Sequence, residues 1–138
     1  MQFELLTLDG AKYSGEAQEV VLTTTEGAMA ILPHHERLTA IVVPGPVVVR
    51  DKHVAESIYA TFGGILEIQD NHVRLLADEA EHADDLIEHE IEAALERAKN
   101  AKDAAKDKHE LHRAQQLIDR HAVRLEVARI RRRRSRRD

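Results

Sequence analysis

The feature that most constrains this chain is a break near residue 78. From Asp78 to Asp138 there is no glycine and no proline in 61 residues, whereas all six glycines and all three prolines lie before it. Uninterrupted Ala, Leu, Glu, Lys and Arg can propagate a helix, because none of these residues removes a backbone donor or adds much chain entropy. Punctuated, β-branched sequence instead reads as short strands and turns. All four aromatics (Phe3, Tyr13, Tyr59 and Phe62) also precede the break, so the second half must bury Leu, Ile, Val and Ala.

Strands are expected at Phe3-Glu4-Leu5, stopped by Asp9-Gly10, and over Glu19 to Thr25 with Val20, Leu22 and Thr24 on one face. Glu26-Gly27 offers a turn. Ile41-Val42-Val43 and Val47-Val48-Val49 flank Pro44-Gly45-Pro46, which predicts an interruption or a bend at a sheet edge. Ser57 to Phe62 alternates with Ile58, Ala60 and Phe62 on one face, and Tyr59 and Phe62 are expected in the core. At Gly63-Gly64 the backbone bends or lets another chain approach. Leu66-Glu67-Ile68 and Val73-Arg74-Leu75 flank Gln69-Asp70-Asn71-His72, a hairpin signal. Many short strands with frequent turns predict a sandwich or barrel.

After the break, apolar residues keep the i, i+3, i+4 rhythm of an amphipathic helix in two stripes. One is Ile87, Ile91, Ala94, Ala98, Ala101, Ala105; the other is Leu111, Ala114, Ile118, Ala122, Leu125, Ala128. Asp84 or Asp85 is the expected N-cap, with Glu88 near N3. The link Lys106 to Glu110 has no strong breaker, so a hairpin and one long helix both remain open. Alanine-rich stripes bury little area, which suits a weakly docked, mobile element.

Charge is sharply zoned. Residues 78–96 hold nine acids and no base, whereas residues 97–138 hold fifteen bases and six acids. Seven arginines fall in the last ten residues. The two zones can attract each other within one chain, and the basic end can meet an anionic partner. A solvated helix face followed by a disordered end is the plainer reading.

Several chemistries lack a signature. There is no cysteine, which excludes disulfides, thiolate zinc sites and a cysteine nucleophile and fits a reducing compartment. No apolar run approaches the ~20 residues of a membrane span, and Met1-Gln2-Phe3-Glu4 does not read as a secretory signal. No Gly-rich phosphate loop occurs. His109-Glu110-Leu111-His112 misses the i, i+4 spacing of a zinc-protease helix, since position 113 is Arg. Glu79-Ala80-Glu81-His82 is a single copy of a motif that di-iron sites need twice. No catalytic residue, metal site or cofactor is expected.

The run Glu26-Gly27-Ala28-Met29-Ala30-Ile31-Leu32-Pro33-His34-His35, followed by Leu38-Thr39-Ala40-Ile41 and Pro44-Gly45, resembles the epsilon subunit of F-type ATP synthases. Phe62-Gly63-Gly64-Ile65-Leu66-Glu67-Ile68, then Asn71-His72-Val73 and Leu75-Leu76-Ala77-Asp78, is similar to that family's second signature. The resemblance covers the full chain. It implies an α+β fold: an N-terminal β-sandwich of about ten short strands (1–84), then a C-terminal two-helix antiparallel hairpin (85–138).

The resemblance further implies a non-catalytic subunit of the rotating central stalk that couples proton-driven rotation to ATP synthesis. The sandwich would bind the gamma subunit and the c-ring. The hairpin would extend into the alpha and beta subunits and block ATP hydrolysis; coupling without inhibition is the closest alternative. Carried over by position, Glu26, Gly27, Ala28, Met29, Ile31, Pro33, His34 and His35 would face the c-ring. Gly63 and Gly64 would meet gamma or form a simple bulge. Arg124, Arg129, Arg131, Arg132, Arg133, Arg134, Arg136 and Arg137 would be regulatory.

The chain departs from the family pattern. Ala28 stands where a carboxylate usually follows the glycine. Ala30 and His34 replace glycines, which stiffens the loop. The segment through which some members of that family bind ATP, Leu-Asp-x-x-Arg-Ala, falls on Leu86 to Ile91, with Ile87 at the Asp position and Glu90 at the Arg position. Glutamate offers a phosphate no donor, so no nucleotide is expected there. The implied location is the cytoplasmic face of a bacterial plasma membrane, held by partners. A nucleic-acid-binding tail is the less favoured alternative: arginine runs bind phosphates, but the first half is acidic and the tail lacks aromatics for stacking.

Overall fold

A computed structural model of the chain describes residues 1–53 and 55–136. The chain divides into two compact units, Met1–Ala83 and Asp84–Asp138.

The first unit is a β-sandwich of ten strands: β1 Gln2–Thr7, β2 Gly10–Glu16, β3 Glu19–Thr24, β4 Gly27–Ile31, β5 Leu38–Val42, β6 Gly45–Arg50, β7 Glu56–Thr61, β8 Gly64–Gln69, β9 His72–Ala77 and β10 Ala80–His82. Pairing runs β10-β7-β6-β3-β5-β8-β9-β1-β2, with β4 on the side of β3. Among the described residues only β1 with β9 is parallel. β3 joins the two layers: Glu19, Val20 and Val21 pair with β6, whereas Thr24 alone reaches Val42 of β5. Alternation then aims one face of each strand inward. Phe3, Leu5, Val20, Leu22, Ile31, Val47, Val49, Leu66, Ile68, Val73 and Leu75 build a single apolar cluster.

Turn chemistry follows residue type. Asp70 and Asn71 both adopt left-handed backbone, φ 52° and 60°, between the paired ends Gln69 and His72. This is a two-residue turn of the kind whose twist matches a hairpin, and Asp and Asn tolerate it best among side-chain-bearing residues. Gly64 answers a different need. A Cβ there would run into the Leu76 carbonyl oxygen and stand 2.9 Å from Ala77 Cα. The close backbone approach expected at this position is therefore made by the chain's own β9.

The structure corrects several expectations. Tyr59 belongs to the sandwich cluster, whereas Ile58 and Ala60 are buried outside it and Phe62 is half-buried. Period-2 alternation cannot tell the two faces apart when both are buried. The interruption expected at Pro44-Gly45-Pro46 is present, at Val43-Pro44 between β5 and β6, although Pro46 itself lies inside β6, a strand with two neighbours. It is tolerated because β3 pairs only with Val48 to Arg50, which leaves Pro46 at a local edge.

A 3₁₀ turn, Ala83–Asp85, begins on the last residue of the first unit, and the second unit holds α1 Glu88–Asp103 and α2 Lys108–Ser135. The expected caps Asp84 and Asp85 are taken up by that turn, so Ile87 stands at the N-cap without a side-chain bond. The break between the helices is made at Asp107, whose Oδ1 accepts from Glu110 N at 2.8 Å. Glu110 Oε2 in turn accepts from Lys106 N at 2.9 Å. Together they satisfy donors that a helix start leaves open. Arg129 to Arg134 are not a disordered end: α2 continues through Ser135.

Candidate functional site

The sandwich residues expected to meet partners lie at two ends of one edge strand. At one end, Thr24 Oγ1 accepts from Glu26 N (3.1 Å) and donates to Gly27 O (3.2 Å), and Gly27 has φ 122°. Thr25 N donates to Ile41 O, and Val42 is the pairing partner of Gly64. Glu26, Gly27, Gly63 and Gly64 thus share one end of the sandwich. β4 then runs ~14 Å to the other end, at ~3.4 Å per residue.

At that far end His34 adopts left-handed backbone, φ 65°, where the family pattern has glycine. Its strain is offset by a tie to the neighbouring turn: His34 N donates to Asn71 Oδ1 at 2.8 Å. His35 N donates to Leu32 O, and its Nδ1 lies 2.8 Å from Glu36 O. Pro33 and His35 are half-buried and His34 is exposed. Along β4, Ala28 is exposed and Met29 is half-buried against the core. Ile31 has no accessible surface, so it holds β4 to the sandwich and offers a partner nothing. Gly64 likewise serves contact with β9. Among the described residues β4 pairs only with β3, and it carries no charge or proline of the kind that protects an exposed edge.

A second surface was missed. Ile41 pairs with Ile65, Ile65 with Leu76, and Leu76 with Leu6, across β5, β8, β9 and β1. Their side chains point outward: Ile41 is 62% exposed, Ile65 48% and Leu76 42%. One row along, Thr39, Glu67, Arg74 and Glu4 are in register. Beyond it Arg37 Nη2 donates to Gln69 Oε1 at 3.4 Å, beside His72. This sheet face therefore grades from an apolar row at the Gly63 end to a polar groove at the His34 end. The groove, about 540 Å³, is lined by Arg37, Glu67, Gln69, Asp70, His72 and Arg74 among others. The legible signal was apolar Ile65 and Leu76 at positions where hairpin alternation calls for polar residues.

The hairpin arginines are engaged within their own unit. Arg131 Nε meets Asp84 Oδ1 at 2.7 Å and Arg132 Nη1 meets Glu88 Oε1 at 2.9 Å. Arg129 lies 3.4 Å from both Glu88 and Glu92. These pairs join the end of α2 to the start of α1, so the helices run antiparallel. Arg124 Nη1 lies 3.2 Å from His121 Nδ1. Arg133 is exposed, Arg134 half-buried, and Arg136 ends α2 with its N–H on Arg132 O. Arg137 lies outside the described residues. Between the helices a groove of about 320 Å³ is lined by Leu95, Ala122, Leu125, Glu126, Arg129 and Arg133.

Among the described residues no cluster of three or more His, Asp or Glu side chains is arranged to hold a metal. Burial first, and then the charge of Asp51, raise the Tyr13 hydroxyl above its ordinary range. It therefore stays protonated and donates to Glu16 O at 3.0 Å.

Residues 1–83 match the β-sandwich domain of ATP synthase delta/epsilon chains. The ATP synthase epsilon chain of Streptomyces griseus subsp. griseus is 38% identical over 105 residues, which is 76% of this chain and 85% of the relative. That of Herpetosiphon aurantiacus is 36% identical over 134 residues, 97% of this chain and 98% of the relative. Among solved structures, a chain of the Euglena gracilis mitochondrial ATP synthase (OSCP/F1/c-ring) matches with a TM-score of 0.79 at 22% identity, over 91% of this chain and 79% of its own, a likeness of fold. Kinship that begins in the sandwich and continues through both helices shows that this chain belongs to the ATP synthase delta/epsilon chain family.

Proposed function

We propose that this chain is a non-catalytic rotor subunit of a bacterial F-type ATP synthase, of the epsilon kind, and that its hairpin restrains ATP hydrolysis. The observation that carries the reading is the near full-length kinship with a relative named ATP synthase epsilon chain, hairpin included. Residues 1–84 grip the rotor and residues 85–138 regulate. The apolar row Ile41, Ile65, Leu76 and Leu6 docks on the gamma subunit, since a row of this kind on a small domain marks an interface. Glu26 to Gly27 and the His34-His35 loop, at the two ends of β4, provide the polar contacts, the latter toward the c-ring. When the hairpin extends, the α2 arginines meet acidic surface on the alpha and beta subunits.

No described helix is long and apolar enough to cross a membrane. The chain is held at the cytoplasmic face of the membrane by its partners. A nucleic-acid role is disfavoured, because the chain carries a net charge of −5 and its basic end has no aromatic side chain for base stacking.

The test is ATP hydrolysis by the cognate catalytic complex reconstituted with the full chain, with residues 1–128 and with residues 1–83. The shortest form must keep β10, because Ala80 is part of the core cluster and Glu79 O accepts from Phe62 N. Inhibition by the full chain, relieved in both truncations, is the expected result. Equal activity with all three forms makes the chain a coupling spacer, and failure of all three to bind overturns the reading.

Nucleotide does not contribute at the start of α1. Glu88 and Glu90 occupy its first turn, and Glu88 already accepts from two arginines. Calorimetry on the isolated chain with millimolar ATP is expected to show no saturable heat, and a binding isotherm would contradict this.

A further inference from the structure

We propose that the acidic start of α1 is an internal competitor for the surface that the α2 arginines bind. Asp84, Glu88 and Glu92 occupy Arg131, Arg132 and Arg129 at 2.7 to 3.4 Å. An acidic partner surface must therefore displace the chain's own carboxylates before it can engage those guanidinium groups. Closed and engaged hairpins are mutually exclusive through the same three side chains. The consequence for hydrolysis rests on the regulatory function proposed above; the competition itself does not.

Three independent features support it. The acids fall in a stretch with no base at all, residues 78–96, so nothing on that stretch neutralises them locally. The arginines are about half exposed, 44% to 49%, and an arriving surface can reach them without unfolding α2. Finally, the apolar packing of the two helices is rich in small residues: three of the six residues buried on them are Ala98, Ala114 and Ala128, beside Ile91, Leu125 and Val127, and a groove remains beside Leu95, Ala122 and Leu125. Where packing contributes little, an ionic latch decides the balance, and exposed ion pairs are the kind that salt and competing charge loosen.

The chain lacks cysteine, so a spin-label pair can be placed without background. Ala93→Cys and Ala122→Cys, both exposed and outside the latch, report the interhelical distance by pulsed electron resonance on the full chain. Charges act over ~30 Å at 0.01 M salt but only ~3 Å at 1 M. The parent hairpin is expected closed at the lower salt and increasingly separated at the higher. Arg129→Gln/Arg131→Gln/Arg132→Gln should raise the ratio of separated to closed chains about tenfold at low salt, from four exposed pairs, and remove the salt response. The swap Asp84→Arg/Arg131→Asp, which reverses a one-to-one pair, should keep the hairpin as closed and as salt-sensitive as the parent.

Poly-L-glutamate is the probe for an acidic surface, and it should separate the labels in the parent. Two results overturn the proposal: a triple variant as closed and as salt-sensitive as the parent, or a parent hairpin that poly-L-glutamate leaves closed. No catalytic complex is present, so failure here is distinct from failure of the hydrolysis test.

Discussion

Ile65→Glu/Leu76→Glu is expected to weaken binding of this chain to a gamma-containing complex by at least ~100-fold while leaving its thermal unfolding nearly unchanged. The two side chains are cross-strand partners and are 48% and 42% exposed. Exposed substitutions of this sort usually shift stability by no more than ~0.5 kcal/mol. At the centre of an interface the same change places two carboxylates against apolar surface. Losing one apolar anchor commonly costs ~2 kcal/mol, and each ~1.4 kcal/mol is tenfold in affinity. Glu67→Ala, one row along, is the control for a general surface effect. Titration calorimetry or surface plasmon resonance decides it: parent-like affinity in the double variant would remove the row from the interface.

Phe3→Ala is expected to destabilise the sandwich by ~3–5 kcal/mol, the range for deleting a buried ring. Phe3 has no accessible surface, and its ring centroid lies 5.6 Å from that of Tyr13. It sits in β1, which joins β9 on one side and β2 on the other. For a domain of this size ~1 kcal/mol moves Tm by ~4–8 °C, so a fall of at least ~12 °C should appear in a melting curve. A fall under ~4 °C would mean that the site collapses around the smaller residue or that the core lies elsewhere.

Much of this was legible because local physics and tertiary context agree. Asp70-Asn71 between alternating strands announced its hairpin, and the Asp-Asn pair adopts the left-handed backbone that such a turn requires. Val20, Leu22 and Thr24 are buried as their spacing implies. The opposite charges of the two helix ends foretold their attraction, and the ion pairs realise it. The choice between hairpin and continuous helix was also written locally, in Asp107-x-x-Glu110, a cap followed three residues on by a carboxylate. It is easily passed over because neither glycine nor proline marks the place.

The candidate site was less legible. Contiguity in sequence suggested that Glu26 to His35 is one surface, but an edge strand separates its ends. The row Ile41, Ile65, Leu76 and Leu6 draws on four strands that are brought together only by pairing. Tyr59 and Ile58 could not be assigned to inner and outer faces, because alternation carries no information where both faces are covered.

By itself the sequence determined where strands give way to helices, how the turns are made, which charges attract and which family the chain resembles. Those properties reside in backbone donors, φ preferences and formal charge, all carried within a few residues. The tertiary structure alone decided which residues share a surface: that Gly64 yields to its own β9, that Ile31 is sealed inside, and that Glu88 receives two arginines from 41 and 44 residues away. Such neighbours are set by register between distant segments, and register follows from burying a whole face at once.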